Sequence, residues 1–336
     1  SNALKISEEM VQIQPQNITL LKKLSINQKL SGKLDLAIQT YIKIVGLAPE
    51  SASAQFRLGQ LYFLNKSFDE AKSHFIKVLE LAPENITAQV ILVKIELKQK
   101  RFESALEYAE QLQHKHPEAF AGYDMLGDVN IALNKPDVAI KHYKKSVSIK
   151  YSSDTYLKLF SAYNLNNQIA KGRSEIEKWT KDFPKDLHLK EALAITYQRN
   201  LEFDKANNIY QEIIQVDRKN DRVLRNLALV SLALKSPMSM EYADMAFNLN
   251  PNKSVNKDTL GWILYQNNQK VKGTGLLKQA VEEAPNNPDI RYHYAVALAD
   301  ANQKSAAINQ LYLAINSSDV FLNRHEAEEL LNKLKN

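Results

Sequence analysis

Histidines are the side chains of this 336-residue sequence best suited to proton transfer or metal ligation, and there are seven: His74, His114, His116, His142, His188, His293 and His325. Only His114 and His116 lie close together, in a run that ends at Pro117. Residues at i and i+2 point to different sides of a helix, so a shared metal would need an irregular turn and further ligands. Two potential cations beside a helix C-terminus, where the backbone dipole favours them, account for the pair more simply. His293 sits between Tyr292 and Tyr294, but no acid, nucleophile or glycine-rich loop accompanies it at a useful spacing. Catalysis needs a second group of defined geometry, so a packing or hydrogen-bonding role is expected there. No phosphate loop, nucleophile elbow or paired-carboxylate motif occurs. With no cysteine, thiolate metal sites and disulfides are excluded, while the redox compartment stays open. The sequence therefore offers no catalytic residue, cofactor site or metal site, and the expectation is a non-enzyme.

The elements that position these residues are fixed by a ruler of prolines. Pro15, Pro49, Pro83 and Pro117 are 34 residues apart, and the beat resumes at Pro184, Pro251 and Pro285 once two one-residue deletions are allowed. Tyr151 and Arg218 stand where the 34-residue count would place the missing prolines, and the array is expected to bend there. A fixed period of this length is the signature of stacked helix-turn-helix units in which each unit contacts its neighbours. Counting each proline as position 32, position 20 is Ala37, Ala71, Ala105, Ala139, Ala206 and Ala307, small wherever two helices must approach closely. Position 24 is mostly bulky, as in Tyr41, Phe75, Tyr143 and Tyr210, and position 7 is leucine from Leu58 to Leu260. Trp179 and Trp262 fall on positions that face neighbouring helices, so core filling is expected of both. Two stretches depart from the pattern: Gly172 replaces the alanine after an Asn- and Gln-rich turn, and Lys235 to Met240 contains Pro237 with Ser239 at position 20.

Bulk properties agree with a folded chain of ordinary composition: 44 Lys and Arg against 38 Asp and Glu, 44% hydrophobic and 24% charged residues. A net charge of +6 without clusters of basic and aromatic residues gives no reason to expect nucleic acid. No apolar run approaches the roughly 18 residues that would span a bilayer.

The unit Gln55, Leu58, Gly59, Tyr62, Ala71, Phe75, Pro83 resembles the tetratricopeptide repeat, whose pattern is Leu-Gly, Tyr, Ala, an aromatic and Pro. The resemblance implies an all-α fold, an alpha-alpha superhelix or solenoid of antiparallel helix pairs. It covers about nine units from Ile18, with the last near Pro288 to Ser317. Residues 1–3 (Ser-Asn-Ala) resemble a tag-cleavage scar. Residues 4–17 read as the second helix of a preceding repeat, so the array is expected to continue upstream. Residues 18–336 read as one continuous array, closed by a capping helix near 322–335 that turns Glu326, Glu328 and Glu329 outward.

Within the last two units, Asp258-Thr259-Leu260-Gly261-Trp262-Ile263-Leu264-Tyr265, then Leu276-Leu277, Ala280 and Ala284-Pro285-Asn286, then Ile290-Arg291-Tyr292-His293-Tyr294-Ala295-Val296-Ala297-Leu298 resemble the carboxy-terminal signature of the PEP-CTERM system TPR-repeat lipoproteins, the PrsT-like family. That resemblance implies a periplasm-facing outer-membrane lipoprotein of a Gram-negative cell envelope, encoded beside machinery for exopolysaccharide production and protein sorting. Any membrane attachment would run through a lipid anchor outside this sequence, because the family's anchoring cysteine has no counterpart here.

Function then follows from the groove that the resemblance implies, lined by positions 2, 5, 9 and 12 of the first helices. The candidate peptide-binding residues are Phe56, Gln60, Phe63, Val90, Lys94, Asp124 and Asp128, with Arg222, Arg225 and Asn226 further along. The asparagine ladder of TPR glycosyltransferases is missing at position 6, where only Asn226 is found, and Arg222, Arg225 and Asn226 supply part of one carboxylate clamp rather than a whole one. The expected function is a non-catalytic scaffold that binds a protein or peptide ligand, with Phe56, Phe63 and Val90 as its anchor. The alternative is an array that recruits substrate for, or regulates, a catalytic domain elsewhere in the protein. Oligomeric state is not readable.

Overall fold

The structure is a computed structural model that describes residues 2–319, 321 and 323–335. Among them are twenty α-helices and no strand. The first helices of nine pairs are α2 (Ile18–Leu30), α4 (Ala52–Leu64), α6 (Ile86–Lys98), α8 (Phe120–Ala132), α10 (Ser153–Leu165), α12 (Leu187–Arg199), α14 (Asp221–Ala233), α16 (Ser254–Gln266) and α18 (Pro288–Asp300). Their partners are α3 (Leu34–Leu47), α5 (Phe68–Leu81), α7 (Phe102–Lys115), α9 (Pro136–Ile149), α11 (Ile169–Asp182), α13 (Phe203–Val216), α15 (Met238–Leu249), α17 (Lys270–Glu283) and α19 (Lys304–Ile315). Flanking them are α1 (Asn2–Ile13), which includes Asn2 and Ala3, and α20 (Arg324–Lys335). Glu326, Glu328 and Glu329 of α20 are exposed and Ala327 and Leu331 buried, while Leu322, expected in this helix, lies outside the described residues. The chain divides into two compact units, one up to Gly172 and one from Arg173 onward.

Local chemistry explains where each helix starts and stops. Asn17, Ser51, Asn85, Ser152, Asp186, Asn220 and Asn287 each cap a first helix by accepting a hydrogen bond from a backbone N–H of its first turn. Between the two helices of every pair the chain passes through one left-handed residue: Gly32, Lys66, Lys100, Asn134, Asn167, Leu201, Lys235, Asn268 and Asn302, with φ between 54° and 74°. That residue ends the first helix and reverses the chain in a turn of three residues, or of four between α14 and α15.

The turns also locate the deletions. Pro15, Pro49, Pro83, Pro117, Pro184, Pro251 and Pro285 each stand three residues before a first helix, and before α10 and α14 that place is taken by Lys150 and Arg218. The first deletion therefore shortens the turn between α9 and α10, so Lys150 and not Tyr151 takes the proline's place. The second falls between α14 and α16, where α15 has 12 residues against the usual 14 and the turn before it has one residue more than usual. Arg218 merely replaces a proline in a turn of normal length.

The periodic positions form the core. All six alanines at position 20 are fully buried, as are Phe75, Ile176, Tyr210, Leu277 and Leu311 at position 24. Leucines at position 7 are at most 6% exposed. Gly273 stands at the alanine position of α17 opposite Gly261 of α16, and a Cβ on Gly273 would lie 2.6 Å from the Gly261 carbonyl oxygen and 2.7 Å from the Tyr265 nitrogen. Backbone meets backbone at this crossing.

Candidate functional site

Within the unit up to Gly172, the concave side of α2, α4, α6, α8 and α10 carries two adjoining cavities. The first, about 600 Å³, is lined by Ile26, Lys29 and Leu30 of α2, Arg57, Gln60, Phe63 and Leu64 of α4, and Ile91 and Lys94 of α6, with Tyr41 and Phe75 behind. The second, about 500 Å³, shares Phe63 and Lys94 and adds Leu97, Lys98, Asp128, Ile131, Tyr143, Lys158 and Ser161. The shared residues make the two one trough. Its apolar floor is unusually open to water: Ile26 is 53%, Leu64 55% and Leu30 77% exposed.

The lining comes from positions 6, 9, 12 and 13 of the first helices, not from 2 and 5. Four of the expected site residues, Gln60, Phe63, Lys94 and Asp128, line the trough. Phe56 and Val90, at position 5, do not: Phe56 packs edge-on against Phe75 with ring centroids 5.4 Å apart, and Val90 packs on the cluster of Val93, Ala105 and Leu126. The reason is geometric. A side chain at position 5 points into the seam with the next first helix, whereas 9, 12 and 13 lie on the open face. Leu30, Leu64 and Ile26 were missed because a leucine or isoleucine in a helix reads as core unless its face is known.

Position 5 instead joins consecutive repeats. Asp124 accepts hydrogen bonds from Thr155 Oγ1 at 2.8 Å and Lys158 Nζ at 2.9 Å, and Lys158 also reaches Asp128 at 3.0 Å and Asp154 at 3.2 Å. Tyr143 donates to Asp128 at 2.7 Å. Burial pushes the Asp128 carboxyl above its ordinary range, against the pull of Lys158. Burial likewise disfavours the Lys158 cation, yet Asp128 and Asp124 outweigh it and hold the ammonium above its usual value. Three carboxylates around one ammonium leave this end of the trough with no cation to offer.

The unit from Arg173 onward repeats the arrangement with different residues. Asp258 of α16 holds His293 Nδ1 of α18 at 2.9 and 3.0 Å, and the buried imidazole stacks on Trp262 with centroids 4.4 Å apart. The acid that no sequence neighbour of His293 supplied comes from the preceding repeat, at position 5 against position 6, the same relation as Asp124 to Lys158. The ring thus has the hydrogen-bonding and packing role expected of it. Arg222 is engaged by Glu191 at 2.6 and 2.7 Å, burial pushes the Arg225 guanidinium down between Asp221 and Asp258, and Asn226 lies at the Tyr210 hydroxyl.

Histidines 114 and 116 close α7: His114 is in its last turn and His116 Nε2 lies 3.7 Å from Glu84. No group of three or more His, Asp or Glu residues among those described is arranged to hold a metal ion, and no described helix is long and apolar enough to cross a membrane.

Three family models, each described as tetratricopeptide repeat, match residues 62–126, residues 31–86 with 259–319, and residues 121–152. Together they cover more than half of the sequence, on the helix pairs and alanine-lined crossings described above. The chain is a tetratricopeptide-repeat protein. Among solved structures, the crystal structure of the APC/C hetero-tetramer Cut9–Hcn1 matches 94% of this TPR chain with a TM-score of 0.57 at 16% identity. This chain spans 63% of that one. The human IFIT1 dimer with m7Gppp-AAAA matches over 99% of this chain and 86% of its own, with a TM-score of 0.56 at 15% identity. At such identities the likeness is one of fold. No curated protein matches the chain.

Proposed function

We propose that this TPR array is a non-catalytic scaffold that binds a protein partner through the trough of α2 to α10. The observation that carries the reading is the exposure of Ile26, Leu30 and Leu64 along one continuous concave surface. Fully burying a leucine or isoleucine contributes about 1.5–3 kcal/mol, so covering these half- to three-quarters-exposed side chains contributes roughly 1–2 kcal/mol each. A partner segment that covers all three gains roughly 3–6 kcal/mol from apolar burial, which its backbone and polar contacts must supplement to offset the ordering of its own chain. TPR repeats commonly serve this purpose, which supports the same reading.

The informative substitution is therefore at Leu64. Phe56→Asp would strike the Phe75 contact and test stability instead. Peptides selected from a random display library on the immobilised chain should lose binding to Leu64→Asp and keep it for Val271→Asp, a change at a 91%-exposed residue of α17. Equal loss or equal retention by both variants would remove the trough from consideration. The envelope setting, with an exopolysaccharide or protein-sorting partner, is our proposal from the Asp258–Leu298 signature; fractionation of the native host checks it, and recovery in the cytosol would end it.

A further inference from the structure

Charge is distributed unevenly along the trough. At the α2–α6 end stand Lys29, Arg57, Lys94 and Lys98, and no carboxylate lines the first cavity. Lys29, Lys94 and Lys98 make no ion pair among the described residues, and Arg57 donates to Gln60 at 2.9 Å. At the α8–α10 end Lys158 is surrounded by Asp124, Asp128 and Asp154. The free cations thus flank the same exposed leucine and isoleucine side chains that need covering. Residues 1–172 also hold 22 Lys and Arg against 17 Asp and Glu, so nearly all the net positive charge of the sequence belongs to this unit.

We propose that the trough takes an acidic, apolar linear segment: leucine- or phenylalanine-type side chains on Ile26, Leu30 and Leu64, with internal Asp or Glu carboxylates on Lys29, Arg57 and Lys94. This rests on the trough being the binding surface and adds the chemistry of what binds. Adjacent first helices at about 10 Å spacing make the α2–α8 stretch about 30 Å long, the reach of roughly nine extended residues. Internal carboxylates are favoured over a chain terminus because the cations are spread over three helices, and a single terminal carboxylate is small enough to meet only one group of donors. An ammonium is also a point charge, which suits scattered side-chain carboxylates.

The test uses the full chain and fluorescent peptides of about ten residues, all with amidated C-termini. One alternates Leu and Phe with Asp and Glu, a second has Lys in place of every acid, and a third keeps the acids and has Ser in place of Leu and Phe. The acidic apolar peptide should bind, weaken at least tenfold when Lys94→Glu is combined with Lys29→Glu, and weaken as ionic strength rises. The doubly substituted chain should prefer the Lys peptide. If native chain binds the Lys peptide equally well and Leu64→Asp abolishes both, the trough stands and the acidic class is wrong. If no amidated peptide binds but a free C-terminal carboxylate restores binding, the internal-carboxylate proposal falls. Binding to the Ser peptide or to single-stranded RNA in preference overturns it in favour of a plain polyanion site. Failure of every probe, with display-selected peptides binding Leu64→Asp as well as the native chain, overturns both the class and the trough.

Discussion

Alanine substitutions at two glycines two residues apart in α17 should shift stability in opposite directions. Gly275 has open space where a Cβ would go, so Gly275→Ala gains helix propensity and nothing else, a stabilisation of about 1 kcal/mol. Gly273→Ala makes the same gain, but its Cβ would lie 2.6 Å from the Gly261 carbonyl and 2.7 Å from the Tyr265 nitrogen. Backbone cannot swing aside as a flexible side chain can, so α16 and α17 must separate. Overpacking of this kind costs about 1–3 kcal/mol, and with backbone on the opposing face the upper end applies. The net change is a destabilisation of about 2 kcal/mol, and the two variants should differ by about 3 kcal/mol. Repeat arrays need not unfold in one step, so the local readout is amide exchange of α16 and α17, alongside the urea midpoint. Protection should fall in Gly273→Ala and rise in Gly275→Ala. Equal shifts in the same direction would refute the close-crossing account of the alanine position.

Other substitutions test the turns and the polar network. Leu201 holds φ 60° at a 73%-exposed turn, a conformation that costs a side-chain-bearing residue about 1 kcal/mol, so Leu201→Gly should stabilise the chain by about that amount and move the urea midpoint upward. Lys158→Met strands Asp124 and Asp128, whose side chains are only 10% and 21% exposed, and should cost about 3 kcal/mol at pH 7. Without the ammonium the Asp128 carboxyl, already raised by burial, is raised further and takes up a proton in the folded state, so that loss should shrink as pH falls; a loss independent of pH would assign the lysine a packing role only. Tyr143 and Tyr210 are held above their ordinary 10.0 by burial, so they contribute stability below pH 10.0 that disappears as pH rises and the unfolded chain ionises first. Unfolding free energies from urea titrations should therefore decline above that pH, and Tyr143→Phe should flatten the decline by up to about 1.4 kcal/mol per pH unit.

The proline spacing and the alternation of alanine with bulky residues were enough to read the helix pairs and their core, because packing at a repeat crossing constrains residue type strongly. The left-handed turn residue recurs as faithfully; Gly32 and the asparagines 134, 167, 268 and 302 announce it, since glycine and asparagine tolerate this conformation, whereas lysine and leucine at that place carry no such mark. Counting from prolines misplaced the first deletion at Tyr151, because a proline-free turn has no marker of its own. At the trough, Phe63 and Lys94 could be read from periodicity, whereas Phe56 could not be told from a groove residue until the seam between repeats was seen. Pairings such as Asp258 with His293 lie one repeat apart and become visible only when position 5 is set against position 6 of the following unit.

The central claim, that a partner lies in the trough of α2 to α10 with its apolar contacts along α2 to α8, is tested most directly by hydrogen–deuterium exchange of the full chain saturated with the tightest display-selected peptide. Slowed exchange is expected in α2, α4, α6 and α8, with α12 to α18 unchanged. Protection confined to residues from Arg173 onward would contradict it.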